Sequence, residues 1–152
     1  MIVKTWGNME NKKAEETIAW DENWAIGDKL VDSQHKELVK LVNELVYYCA
    51  CDQMKDAVPT ALSFLVNYAV THFNDEEALQ QRCGFPYYPQ HKQMHEDFKV
   101  TVGGLVEKYT KQGSTLSLKN DLYNVLAAWL VNHIINEDKK IGEYIKNSKP
   151  KN

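Results

Sequence analysis

The sequence predicts an all-α fold, an antiparallel up-down-up-down four-helix bundle preceded by an N-terminal arm. Two observations carry this. Four long segments place apolar residues at the 3.6-residue helical period, joined by short polar connections. Five histidines and two carboxylates are spread over those same four stretches, four of the histidines at helical spacings to one another or to a carboxylate. At 152 residues the chain has the size of one domain.

Residues 1–19 are polar, with KK and EE pairs, and read as a flexible arm; residues 20–146 form the helical domain and 147–152 a polar tail. A first helix is expected from about 29–33 to 51, its stripe formed by Val31, His35, Leu38, Val39, Leu41, Val42, Leu45 and Val46. A turn at 52–55 leads to a second helix at 56–82, with Pro59 tolerated in its first turn. Leu62, Leu65, Ala69, His72, Glu76 and Leu79 share its inner face; Gly84 and Pro86 then stop it. The third helix, 89–111, carries His91, His95, Phe98, Val102, Leu105 and Tyr109 on one seam. Gly103 and Gly104 each cost it roughly 1 kcal/mol relative to Ala, which suggests close helix approach. After a turn at 112–115, the fourth helix spans 116–145, with Leu122, Val125, Leu126, Trp129, His133 and Ile141 inward.

Composition narrows the function. A net charge of −3 gives no basic excess, which argues against a nucleic-acid partner. No apolar run approaches the roughly 18–20 residues of a membrane span, and the first residues lack the apolar core of a signal peptide, so the expected location is cytoplasmic. The cysteines Cys49, Cys51 and Cys83 form no C-x-x-C and read as reduced thiols, with a redox-sensing role as the competing reading.

The histidines carry the chemistry. His72 and Glu76 form H-x-x-x-E, and His91 and His95 form H-x-x-x-H. His133 and Asp138 form H-x-x-x-x-D, and His35 stands in VDSQHKEL. A lone histidine on an apolar face is ordinarily a hydrogen-bonded core residue, but five at compatible spacings point to metal binding. Glu76 has an outward alternative, since Asp75 and Glu77 flank it in an acidic run; its four-residue offset from His72 places it inward instead. A buried carboxylate there needs a cation to offset its cost. Asp138 fits less well: five residues rotate it about 140° from His133 on an ideal helix, and Glu137 suits that geometry better.

The chain resembles the bacterial hemerythrins over about residues 20–146. The resemblance is carried by Trp20-Asp21, VDSQHKEL, HFNDEE, GFPYYPQHKQMHEDF and WLVNHIINEDKK, which fill all seven family ligand positions in order. Trp24 departs from the pattern, as does the N-terminal arm, and neither touches the ligands. The family pattern selects Asp138 over Glu137. It implies two iron ions joined by an oxo or hydroxo bridge, one held by His91, His95 and His133, the other by His35 and His72, with Glu76 and Asp138 bridging. The second iron then has one open position, where dioxygen, or a small anion such as azide, binds. Because the bridge proton can pass to the bound ligand, the net charge of the site stays constant through binding and release, which an apolar pocket tolerates. The resemblance assigns that pocket to Leu38, Phe73, Trp129, Leu130 and Ile134. Asp32 is read as a helix cap, with orientation of His35 as the alternative.

The function implied is reversible dioxygen binding for storage, delivery or sensing, without enzymatic turnover. The rival is a di-iron enzyme: an oxidase, a peroxide-reducing or a nitric-oxide-processing protein. Oxygen-activating bundles use Glu-x-x-His pairs and carboxylate-rich shells, and E-x-x-H does not occur in this sequence. H-E-x-x-H is also missing, and seven ligands are too many for one tetrahedral zinc.

Overall fold

The computed structural model describes residues 18–50 and 54–148. Most of the expected arm, Cys51 and the last four tail residues lie outside the described residues, as do the side chains of Val46 and Cys49.

Four long helices make up the described chain, with no strand among the described residues. Helix α1 is Lys29–Ala50. Helix α2 spans 54–83 as Met54–Phe64, a π-helical stretch Leu65–Ala69, and Val70–Cys83. Helix α3 is Tyr88–Gln112. Helix α4 spans 116–148 and contains two π-helical stretches, Asn124–Leu130 and Ile134–Asp138.

Local chemistry sets the boundaries. Asp28 accepts the amides of Leu30 and Val31, both at 3.1 Å, and so caps α1. Asp32, the expected cap, instead turns back to the preceding loop. Its two oxygens accept the amides of Ile26 (2.7 Å) and Gly27 (3.1 Å). Helix α2 starts at Met54, two residues earlier than the sequence suggested, so Pro59 lies inside it rather than in its first turn. Gly84, at φ 68°, ends α2, with the Phe85 amide reaching back to the Gln80 carbonyl at 2.9 Å. Thr115 caps α4 through the Leu118 amide at 3.1 Å.

The apolar stripes meet in the interior as expected. A main core runs from Leu45, Leu62, Leu105 and Leu118 to Leu38, Phe73, Phe98 and Ile134. A smaller cluster of Ile26, Val31, Leu79, Phe85 and Ile141 closes one end. That cluster draws on the start of α1, the end of α2, the approach to α3 and the end of α4, which makes successive helices antiparallel. Gly103 and Gly104 correct one expectation: both are exposed, with nothing within 4 Å of an added Cβ, so no close helix approach occurs there and nothing in the structure explains them. The close approach is at Gly142, where an added Cβ would lie 2.7 Å from the Ile26 Cα.

Before α1, the backbone of Ile18 pairs with the Asn43 side chain in both directions, at 2.8 and 2.9 Å. Trp20 and Trp24 meet edge to face at 5.6 Å, and Lys36 lies over the Trp20 ring. The departure at Trp24 is therefore part of a small half-buried cluster that packs against the main core.

Candidate metal centre

Between the main core and the end cluster lies a layer of buried polar side chains. His35 sits between Val31 and Leu38 on α1, and Glu76 between Phe73 and Leu79 on α2. His91 and His95 lie between Phe85 and Phe98, and Asp138 between Ile134 and Ile141 on α4. The seven residues singled out in the sequence are all brought together here, each at most 5% exposed.

Their ligand atoms form two overlapping groups. One contains His91, His95, His133, Glu76 and Asp138; the other contains His35, His72, Glu76 and Asp138. Nε2 of His133 lies 3.2 Å from Nε2 of His91 and 3.3 Å from that of His95. Ligand atoms sharing one ion at bond lengths of about 2.1 Å have separations of this size. Each carboxylate faces both groups. Glu76 Oε1 lies 2.8 Å from His91 and 3.5 Å from His95, whereas Oε2 lies 3.5 Å from His35 and 3.6 Å from His72. Asp138 Oδ1 lies 3.0 Å from His133 and 3.2 Å from His91, and Oδ2 lies 3.1 Å from His35.

The winding of α4 explains Asp138. In the π stretch Ile134–Asp138 the backbone takes about one extra residue per turn, so position i+5 rises over position i. Asp138 thereby stands over His133 and is fully buried, while Glu137 is turned outward to pair with Lys140 at 2.7 Å.

Protein groups alone leave this layer poorly satisfied. Both nitrogens of His35, Oε2 of Glu76 and both oxygens of Asp138 are buried without a hydrogen-bond partner of good geometry. Such orphaned atoms are costly, and here all but one of them converge on the space between the two groups. A pair of cations would meet them. Titration reflects the same need. Burial opposes charge on His35 and His91, but the carboxylates of Asp138 and Glu76 close beside both rings outweigh it and push both up to about 9. Burial pulls His72 down to about 4 and lowers His95. Burial also opposes charge on the two carboxyls, yet the surrounding histidines hold both well below their usual range. Without a cation, protons on His35 and His91 serve as the counter-charge.

Three further residues support the clustered side chains and were not singled out from sequence. Gln34 meets His72 Nδ1 at 3.0 Å, Glu77 meets His95 Nδ1 at 3.0 Å, and Gln80 donates to Glu76 Oε1 at 3.0 Å. Glu77 is buried, so the acidic run 75–77 is not the solvated face it resembles. The assigned pocket residues Leu38, Phe73, Leu130 and Ile134 are fully buried, and Trp129 is half-buried. Phe73 stacks on the His95 ring at 3.9 Å and Trp129 on the His133 ring at 4.5 Å, so both aromatics brace the three-histidine group.

The chain matches the model of the hemerythrin HHE cation binding domain over residues 27–145. It belongs to the hemerythrin family. Among hemerythrin relatives, a bacteriohemerythrin of Stenotrophomonas maltophilia (strain R551-3) is 28% identical over 129 residues, covering 85% of this chain and 82% of the relative. Myohemerythrin-1 of Phascolopsis gouldii is 33% identical over 125 residues, 82% of this chain and 92% of the relative. A myohemerythrin of Sipunculus nudus is 32% identical over 121 residues, covering 80% and 88%. The hemerythrin HHE domain implies a metal site, and the clustered histidines and carboxylates fit one. No described helix is long and apolar enough to cross a membrane.

Proposed function

We propose that this chain binds dioxygen reversibly at two iron ions with an oxo or hydroxo bridge, as an oxygen-storing, oxygen-delivering or oxygen-sensing protein of the cytoplasm rather than an enzyme. The observation that carries this reading is the double facing of Glu76 and Asp138, each with one oxygen toward either histidine group. Two carboxylates so placed suit a bridged pair of ions, which a single-ion site would not need. His91, His95 and His133 would hold one ion and His35 and His72 the other, which leaves the second with fewer protein ligands and one position for dioxygen or a small anion such as azide. When bound, the irons supply electrons to dioxygen reversibly.

The remaining work falls to the chain's own side chains. Two carboxylates and a hydroxo bridge would offset three of the four charges of two divalent ions, the five neutral imidazoles adding none, so little net charge would remain buried. Phe73 and Trp129 hold the imidazole planes of His95 and His133 by stacking. Leu38, Leu130 and Ile134 keep the region dry, which limits proton entry and irreversible oxidation of the irons.

Purified protein should contain about two irons per chain, since seven ligands serve two six-coordinate ions. After anaerobic reduction, exposure to air should produce a new visible band that disappears on degassing. A stoichiometry of one, or native zinc, sinks the di-iron reading. Two irons with oxygen consumed and no reversible band would favour the di-iron enzyme instead.

A further inference from the structure

Hydrogen bonding determines which ring nitrogen of His72 and of His95 is free. Asp75, a carboxylate, can only accept, and its Oδ2 lies 2.7 Å from Gln34 Nε2. Gln34 therefore donates through Nε2 and presents Oε1 to His72 Nδ1 at 3.0 Å. That nitrogen must carry the proton, and Nε2 faces Glu76 with its lone pair. On the other side, Lys92 donates to Glu77 Oε2 at 3.0 Å, and Glu77 Oε1 accepts from His95 Nδ1 at 3.0 Å. His95 Nε2 is thereby left bare toward Glu76.

The two chains of contacts share a plan but differ in charge. His95 is backed by a buried carboxylate, His72 by a buried neutral amide. A carboxylate draws on the Nδ1 proton more strongly and makes Nε2 a better donor. Lys92 is about half exposed, so solvent weakens its opposing pull, while it still orients Glu77. Asp75 polarises the Gln34 amide but gives it no net charge.

We propose that Glu77 and Gln34 are positioning residues that make the two metal positions unequal: Glu77 strengthens the three-histidine position through His95, and Gln34, held by Asp75, fixes His72 as a weaker donor at the two-histidine position. This rests on the two-ion reading above. The three-histidine position fills first and holds its ion longer, so the ion at the two-histidine position, where the small ligand binds, is the one that exchanges.

Titration of the metal-free protein with Co(II), followed by its visible absorption, gives the two stepwise affinities. The steps are assigned with His72→Ala, which removes a ligand of the two-histidine group alone. Glu77→Gln keeps shape and removes charge; it should weaken only the tighter step, by about 10–100-fold. Gln34→Leu should weaken only the other step by a similar factor. Asp75→Ala, which touches no metal position, should weaken that same step by less. Melting of each metal-free variant confirms that it is folded, and a fold defect would lower both steps together. Equal losses in both steps, or constants unchanged within twofold, overturn the proposal while leaving the two-ion reading intact. Wild-type protein that takes up only one Co(II) overturns both.

Discussion

Oδ1 of Asp138 lies 3.0 Å from Nε2 of His133, five residues earlier in the same helix, because the backbone between them is wound as a π turn. The turn does two things at once. It lifts Asp138 over His133 into the layer of ligands, and it swings Glu137 to the surface. At i+5 the Asp138 oxygens divide between His133 and His35, on opposite sides of the site.

On the proposed two-iron reading, Asp138→Ala should therefore lower iron content below two per chain, because each position would lose an oxygen ligand. Glu137→Ala should leave two irons bound, since it removes only an ion pair with Lys140 at the surface. Iron and protein assays on folded material distinguish the two. The opposite pattern would mean that the π turn does not direct the working carboxylate.

The helices, their inner faces and six of the seven clustered residues were legible because burial imposes a regular period on sequence. Val31, His35 and Leu38, or Phe98, Val102 and Leu105, need only one axis and one buried side. Asp138 was legible by resemblance alone: counting 100° per residue assumes regular winding, and a π turn leaves no mark in composition. Gln34 and Glu77 were missed for a different reason. Their partners lie 38 and 18 residues away on other helices, and neither spacing on its own helix hints at the pairing. Asp32 shows the same limit, since a first-turn aspartate can cap its helix or tie down a loop, and only the loop's path decides.

Metal loading should release protons. His35 and His91 are raised from 6.5 to about 9, so in the folded metal-free chain both are charged at neutral pH. Their charge adds stability that is fully present below pH 6.5 and is lost as pH rises through about 9. An incoming cation must displace those protons, so apparent affinity should climb with pH across 6.5–9. A pH-stat titration with Co(II) at pH 7 should register up to two protons per chain. Metal uptake with no proton release would show that other groups balance the carboxylates.

Gly142→Ala tests the seal at the closed end. An added methyl gains roughly 1 kcal/mol in helix propensity but overpacks the site, at about 1–3 kcal/mol. The atoms it meets belong to the Ile26 backbone, the nearest at 2.7 Å, and that backbone is itself held by Asp32. The neighbour cannot turn aside, so the loss should prevail. A lower melting temperature is expected, with faster removal of metal by a chelator as the cluster of Ile26, Val31, Leu79, Phe85 and Ile141 loosens. Unchanged melting and chelation would mean that the loop moves freely and does not seal the site.

Leu130→Ala tests the dry side. Leu130 precedes His133 by three residues on α4 and is 1% exposed within the main core. Removing its side chain should cost about 2–5 kcal/mol, the usual range for a buried leucine. If Leu130 also screens the open metal position, the shortened side chain admits water and small anions. Azide should then bind the oxidised protein faster, and the oxygenated protein should autoxidise faster, because protons reach a formerly dry site. Loss of stability alone would not produce this pair of effects in protein that is folded and carries both irons, so rates are compared only on such samples. Equal azide and autoxidation rates in variant and wild type would confine Leu130 to core packing and place the route to the irons elsewhere.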